Sequence, residues 1–97
     1  MVDELYSVVW TPDFVEDVAL AVEYVATVLK APIAARKLLK GINDQLENVR
    51  AMPTAAVVKR GPQNEIFYTV SYKNYNIYYV LEDRTIKAVG LKHQLQS

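Results

Sequence analysis

No cysteine occurs in the 97 residues, which removes disulfides, a catalytic thiol and thiolate metal ligands together. A single histidine, His93, is left to anchor any zinc site, and no cluster of carboxylates stands ready to complete one; neither metal nor cofactor is expected. An excess of charge of either sign is missing as well. Eleven basic and eleven acidic residues cancel, so a general attraction to nucleic acid is not written into the net charge. No apolar run approaches the roughly 20 residues that span a bilayer. The opening MVDELYS has neither the basic nor the apolar part of a signal peptide. The expectation is a cytoplasmic protein without membrane contact. Glycine is scarce too, at three, and Gly61-Pro62 lacks the repeated glycines and following helix of a phosphate loop.

What remains is apolar, at 52%, enough for one folded domain over residues 1–97 and too much for a disordered tail. In LYSVVW, residues 5–10, Tyr6, Val8 and Trp10 alternate onto one face, which predicts a strand. Thr11-Pro12-Asp13 then supplies an N-cap, a proline suited to the first helical position and a carboxylate for the helix dipole. From Asp13 to about Lys30, Val15, Val18, Val22, Val25 and Leu29 recur at helical spacing. Pro32 opens a second helix running to about Arg50, with Ala35, Leu39, Ile42, Leu46 and Val49 as its stripe. The short connection makes the two helices an antiparallel hairpin. Val15, Val18, Val22, Leu39, Ile42 and Leu46 are expected to pack on a sheet. Gly41, in mid-helix, points to a close approach by a neighbouring element. After Met52-Pro53, residues 55–60 are extended, and 66–72, 75–82 and 85–93 are strands. Lys73-Asn74 makes a tight hairpin of the first two. The last four residues are expected to fray. Strand, two helices, then a mainly antiparallel meander of three to four strands is an α+β fold.

This order of elements, with VEDVALAVEYVATVLKAPIAARKLLKGI followed by KNYNIYYVL and VGLKH, resembles the RelE/ParE toxins of bacterial type II toxin–antitoxin modules from about Tyr6 to His93. The resemblance implies a small growth-arresting toxin held inactive by a cognate antitoxin in a hetero-oligomer. ParE-like members bind DNA gyrase; RelE-like members cleave mRNA on the ribosome. A chain that keeps antitoxin binding without poisoning is a third reading.

Cleavage by a 2′-hydroxyl needs a proton acceptor, a proton donor and a cation beside the phosphate. RelE-like enzymes commonly carry an arginine in the middle meander strand; the matching position here is Asn76, which supplies no charge. For a ribonuclease, His93 with Lys92 would handle the protons. Lys59, Arg60, Lys73 and Tyr72 are the residues available to contact a target or a phosphate. Arg36, Lys37 and Lys40 form a basic patch for an acidic antitoxin segment, or a solvated face. Ser7 and Ser71 lack a histidine–carboxylate context for nucleophilic work. Tyr68, Tyr72, Tyr75 and Tyr79 fall at period two, as sheet core and cross-strand pairs would, whereas Tyr78 shares a face with Asn76 and Val80. Asn76 and the zero net charge favour the ParE-like reading, with the RelE-like and non-poisoning readings as alternatives in that order.

Overall fold

The computed structural model describes residues 5–96. Strand β1 (Ser7–Trp10) leads into helix α1 (Pro12–Glu23), a π-helical turn (Tyr24–Val28) and helix α2 (Pro32–Asn48). Four strands follow: β2 (Val57–Arg60), β3 (Ile66–Tyr72), β4 (Tyr75–Glu82) and β5 (Thr85–His93). They form one sheet in the order β1-β5-β4-β3-β2. The meander β2 to β5 is antiparallel throughout, and β1 joins its far edge parallel to β5. The expected α+β architecture is present, with β1 as a fifth strand of the same sheet.

The helical hairpin covers one face. Thr11 caps α1 by accepting from the Phe14 amide at 3.3 Å, and its hydroxyl donates to the Ala88 carbonyl at 2.8 Å, so the cap also fastens the helix start to β5. With the start fixed there, Phe14 turns inward, edge-to-face against Trp10 with ring centroids 4.9 Å apart. The core joins Phe14, Val18, Leu38, Ile42 and Leu46 from the helices to Ile77, Tyr79, Ile86 and Ala88 from the sheet. Two expectations are corrected here. Val15, at 48% exposure, and Leu39, at 43%, lie outside the core, and Phe14 and Leu38 take their places. Val18, Ala35, Ile42, Leu46 and Val49 are buried as expected, so each stripe turns only enough to exchange one member.

The first helix also fails to run unbroken to Lys30. The amides of Leu29 and Ala31 bond back to Tyr24 and Val25 at 3.1 and 3.0 Å, and the wider π turn carries Leu29 out to 55% exposure. Lys30 then adopts a left-handed conformation, φ 53°, a helix-ending geometry that usually falls to glycine. Gly41 has the reason expected of it: a Cβ there would fall inside the Tyr72 ring. At the other end Gln94–Gln96 form a short 3-10 turn where fraying was expected; Ser97 lies outside the described residues. Among the described residues, no helix is long and apolar enough to cross a membrane.

Candidate functional site

Because successive side chains of a strand point to opposite faces, the sheet sorts the sequence-derived site residues into two groups. On the helix-covered face, Tyr75 pairs with His93 and Tyr72 with Tyr75. The His93 ring meets Tyr75 edge-to-face at 5.1 Å, and its Nδ1 accepts the Leu95 amide at 3.2 Å. Tyr72 covers Gly41 and donates from its hydroxyl to the Lys37 carbonyl at 3.4 Å. These two tyrosines and Tyr79, stacked on Tyr68 at 5.6 Å, belong to the packing between hairpin and sheet. The Tyr79 hydroxyl donates to the Pro53 carbonyl at 2.6 Å, and burial pushes its pKa up to about 12.

His93 and Tyr75 separate two neighbouring hollows along this side. One, of about 580 Å³, is lined by Asp17, Leu20, Tyr24 and Leu91; the Asp17 carboxylate accepts the Leu91 amide at 3.1 Å, tying α1 to β5. The other, of about 240 Å³, is lined by Val25, Leu29, Lys37 and Lys73. Beside them Leu20, Tyr24, Val28, Leu29 and Ile33 are each at least half exposed. The end of α1, the π turn and the start of α2 thus present a continuous apolar surface. Arg36, Lys37 and Lys40 are exposed on α2 next to it, with Lys40 held to Asp44 at 2.7 Å in an ion pair that raises the lysine pKa.

On the open face, Asn76 pairs with Lys92 and Tyr78 with Gly90. Lys59, Arg60, Phe67, Tyr78 and Lys92 line a shallow cleft of about 380 Å³. The Asn76 amide is engaged there, its Oδ1 accepting from Ser71 Oγ at 2.9 Å and from Gln94 Nε2 at 3.3 Å.

The structure therefore brings Lys59 and Lys92 together on the open face and Tyr72, Lys73 and His93 together on the other; Arg60 borders the open-face cleft although strand alternation turns it away from Lys59. His93 and Lys92, adjacent in sequence, do not share a site, and no cation on the open face can serve a phosphate held at His93. Strand periodicity alone carries this separation. Sequence reasoning missed the apolar surface at the hairpin tip, for which the signal was Leu20, Tyr24 and Val28, a second stripe at spacing four beside the one that enters the core. Among the described residues, no group of three or more His, Asp or Glu side chains is placed to hold a metal ion.

Comparison with known proteins agrees with this architecture. The family model described as ParE toxin of the type II toxin–antitoxin system, parDE, matches residues 8–97. Among solved structures, a chain described as the chromosomal ParDE toxin–antitoxin system from P. aeruginosa superposes with a TM-score of 0.71. The match covers 92% of this chain and 96% of that one at 16% identity, a likeness of fold. Comparison with curated protein sequences gives no match.

Proposed function

The chain belongs to the ParE toxin family of type II toxin–antitoxin systems, and from that premise we propose that it arrests growth by binding DNA gyrase, as one toxin domain over residues 1–97 acting in the cytoplasm. The observation that carries a binding mechanism over RNA cleavage is Asn76. A ribonuclease must gather a proton acceptor, a proton donor and a phosphate-neutralising cation around one reacting atom. Lys37 and Lys73 line the hollow beside His93, but Lys92 faces the other way with Lys59. The position that would hold a central arginine is Asn76, bonded to Ser71 and Gln94.

The same reading supplies a place for the cognate antitoxin. Large contiguous apolar surface on a small protein marks a partner site, and the hairpin tip carries Leu20, Tyr24, Val28, Leu29 and Ile33 in the open. An amphipathic antitoxin helix would lay its apolar side chains there and into the hollows on either side of His93 and Tyr75. Acidic residues on its flank would meet Lys37 and Lys73 first, then Arg36 and Lys40. Toxin and antitoxin would then form a hetero-oligomer in which the apolar surface is covered.

Purified protein added to gyrase with supercoiled plasmid tests the target. Inhibited supercoiling together with accumulation of broken DNA is the expected result. Ribosome-dependent mRNA cleavage, with gyrase unaffected, would overturn it in favour of the RelE-like reading. Silence in both assays with antitoxin binding intact would point to the non-poisoning alternative.

A further inference from the structure

The cleft on the open face has no part in the toxin reading above, yet its composition is specific. Lys59 and Lys92 are both exposed and neither makes an ion pair among the described residues. Arg60 leans over the turn before β3, its guanidinium donating to the Asn64 side chain at 3.2 Å. No carboxylate lines the cleft. The Glu65 carboxylate, beside Gly61 and the Phe67 ring, accepts the Gln63 amide at 2.8 Å. Between the cations lie two half-buried rings, Phe67 and Tyr78. Pairing steps from Tyr78–Gly90 to Tyr79–Ala88, leaving Val89 unpaired, and Val89 lines the cleft with Tyr78.

Lys59 and Lys92 stand on strands three intervals apart and four residues out of level, roughly 19 Å at ordinary strand spacing. One phosphate or carboxylate cannot engage both at that separation, whereas a chain of repeated negative charges can. The aromatic rings between the cations suit planar groups strung along such a chain, which an acidic peptide lacks. We propose that this cleft binds a single-stranded nucleic-acid segment, its phosphates on Lys59 and Lys92 and its bases against Phe67 and Tyr78. The protein's zero net charge confines such binding to the patch, because the rest of the surface offers no general attraction. With His93 on the other face, the segment is held and not cut.

The test is fluorescence anisotropy of a labelled oligothymidylate of about twelve nucleotides, within the range compact single-strand binders occupy, with a matched oligouridylate to tell DNA from RNA. The full-length protein is compared with Lys59→Gln/Lys92→Gln, two exposed positions whose neutralisation leaves the core untouched. Loss of two phosphate contacts should flatten the slope of log affinity against log salt by about 1.4, and Phe67→Ala should weaken binding about tenfold. Arg36→Gln/Lys37→Gln, on the opposite face, should change neither, and far-UV circular dichroism checks that every variant is folded. Equal losses in the two double variants, or no loss in the cleft variant, would overturn the proposal. So would a polyglutamate peptide binding the cleft more tightly than either oligonucleotide, which would make it a peptide site.

Discussion

Gly41 and His93 show how much single positions determine in a chain this small. Glycine in mid-helix forgoes about 1 kcal/mol of helix propensity relative to alanine, yet here the vacancy is filled by the Tyr72 ring, which then bonds the Lys37 carbonyl. Gly41→Ala should therefore destabilise the fold by about 1–3 kcal/mol, the usual range for overpacking, against the direction propensity alone would give; urea denaturation would read the sign directly. His93 is half-buried between two hollows, held by the Leu95 amide and by Tyr75. For a gyrase-binding toxin, His93→Ala removes contacts on the order of 1 kcal/mol, and growth arrest should survive at modestly higher induction. Ribosome-dependent mRNA cleavage abolished by the same change would contradict the binding mechanism. Both residues stand out in the sequence, one as a glycine inside a helical stripe and the other as the lone histidine. What the sequence does not reveal is the neighbour: a ring arriving from 31 positions away in the first case, a facing strand and the chain's own tail in the second.

The elements differ in how plainly the sequence announces them. Strands β3, β4 and β5 are legible to the residue because β-branched, apolar and, in β3 and β4, aromatic residues fill them and Lys73-Asn74 and Asp83-Arg84 punctuate them. The helices are legible in existence but not in rotation. Residues 14, 15, 18, 20, 21 and 22 of α1 are all apolar, so more than one stripe satisfies helical spacing. The choice falls to Thr11, whose bond to Ala88 turns Phe14 inward. The parallel pairing of β1 with β5 carries no local signal at all, since its partners lie 78 residues apart. Of the site residues, the split between Lys92 and His93 follows from strand periodicity, while the cleft around Tyr78 depends on a register shift that no sequence pattern reports. The left-handed Lys30 after the π turn is a strained stop, because a side chain in that conformation costs roughly 1–2 kcal/mol. Lys30→Gly should relieve it and raise stability by up to about 1 kcal/mol once the added freedom of the unfolded chain is subtracted. A higher thermal midpoint with unchanged antitoxin affinity is the expected pair of readings.

Over the whole molecule the two faces of the sheet divide the work, and the charges follow that division. Arg36 and Lys37 flank the apolar tip, so reversing both to glutamate should slow association with an acidic antitoxin and flatten its salt dependence. Lys40 is already committed to Asp44 and should matter less. Stopped-flow association rates across a salt series would separate the three positions. Stability itself has an alkaline limit set at the centre of the core. Tyr79 and Tyr75 are both shifted upward by burial, Tyr79 to about 12 from an ordinary 10.0. The folded state thus keeps a proton that the unfolded chain releases above pH 10. Stability should be undiminished below that pH and fall through the interval up to about 12, by about 3 kcal/mol at most for Tyr79. Urea midpoints at about pH 9 and about pH 11 would show the drop, and Tyr79→Phe should reduce it. The strand order carries a further consequence, for the order of folding. Strand β1 pairs with β5, which also completes the floor beneath α1 with Ile86, Ala88 and Leu91. During synthesis the hairpin and the meander of β2 to β4 therefore wait for β5, and β1 finds its place in the sheet only after that strand has been made.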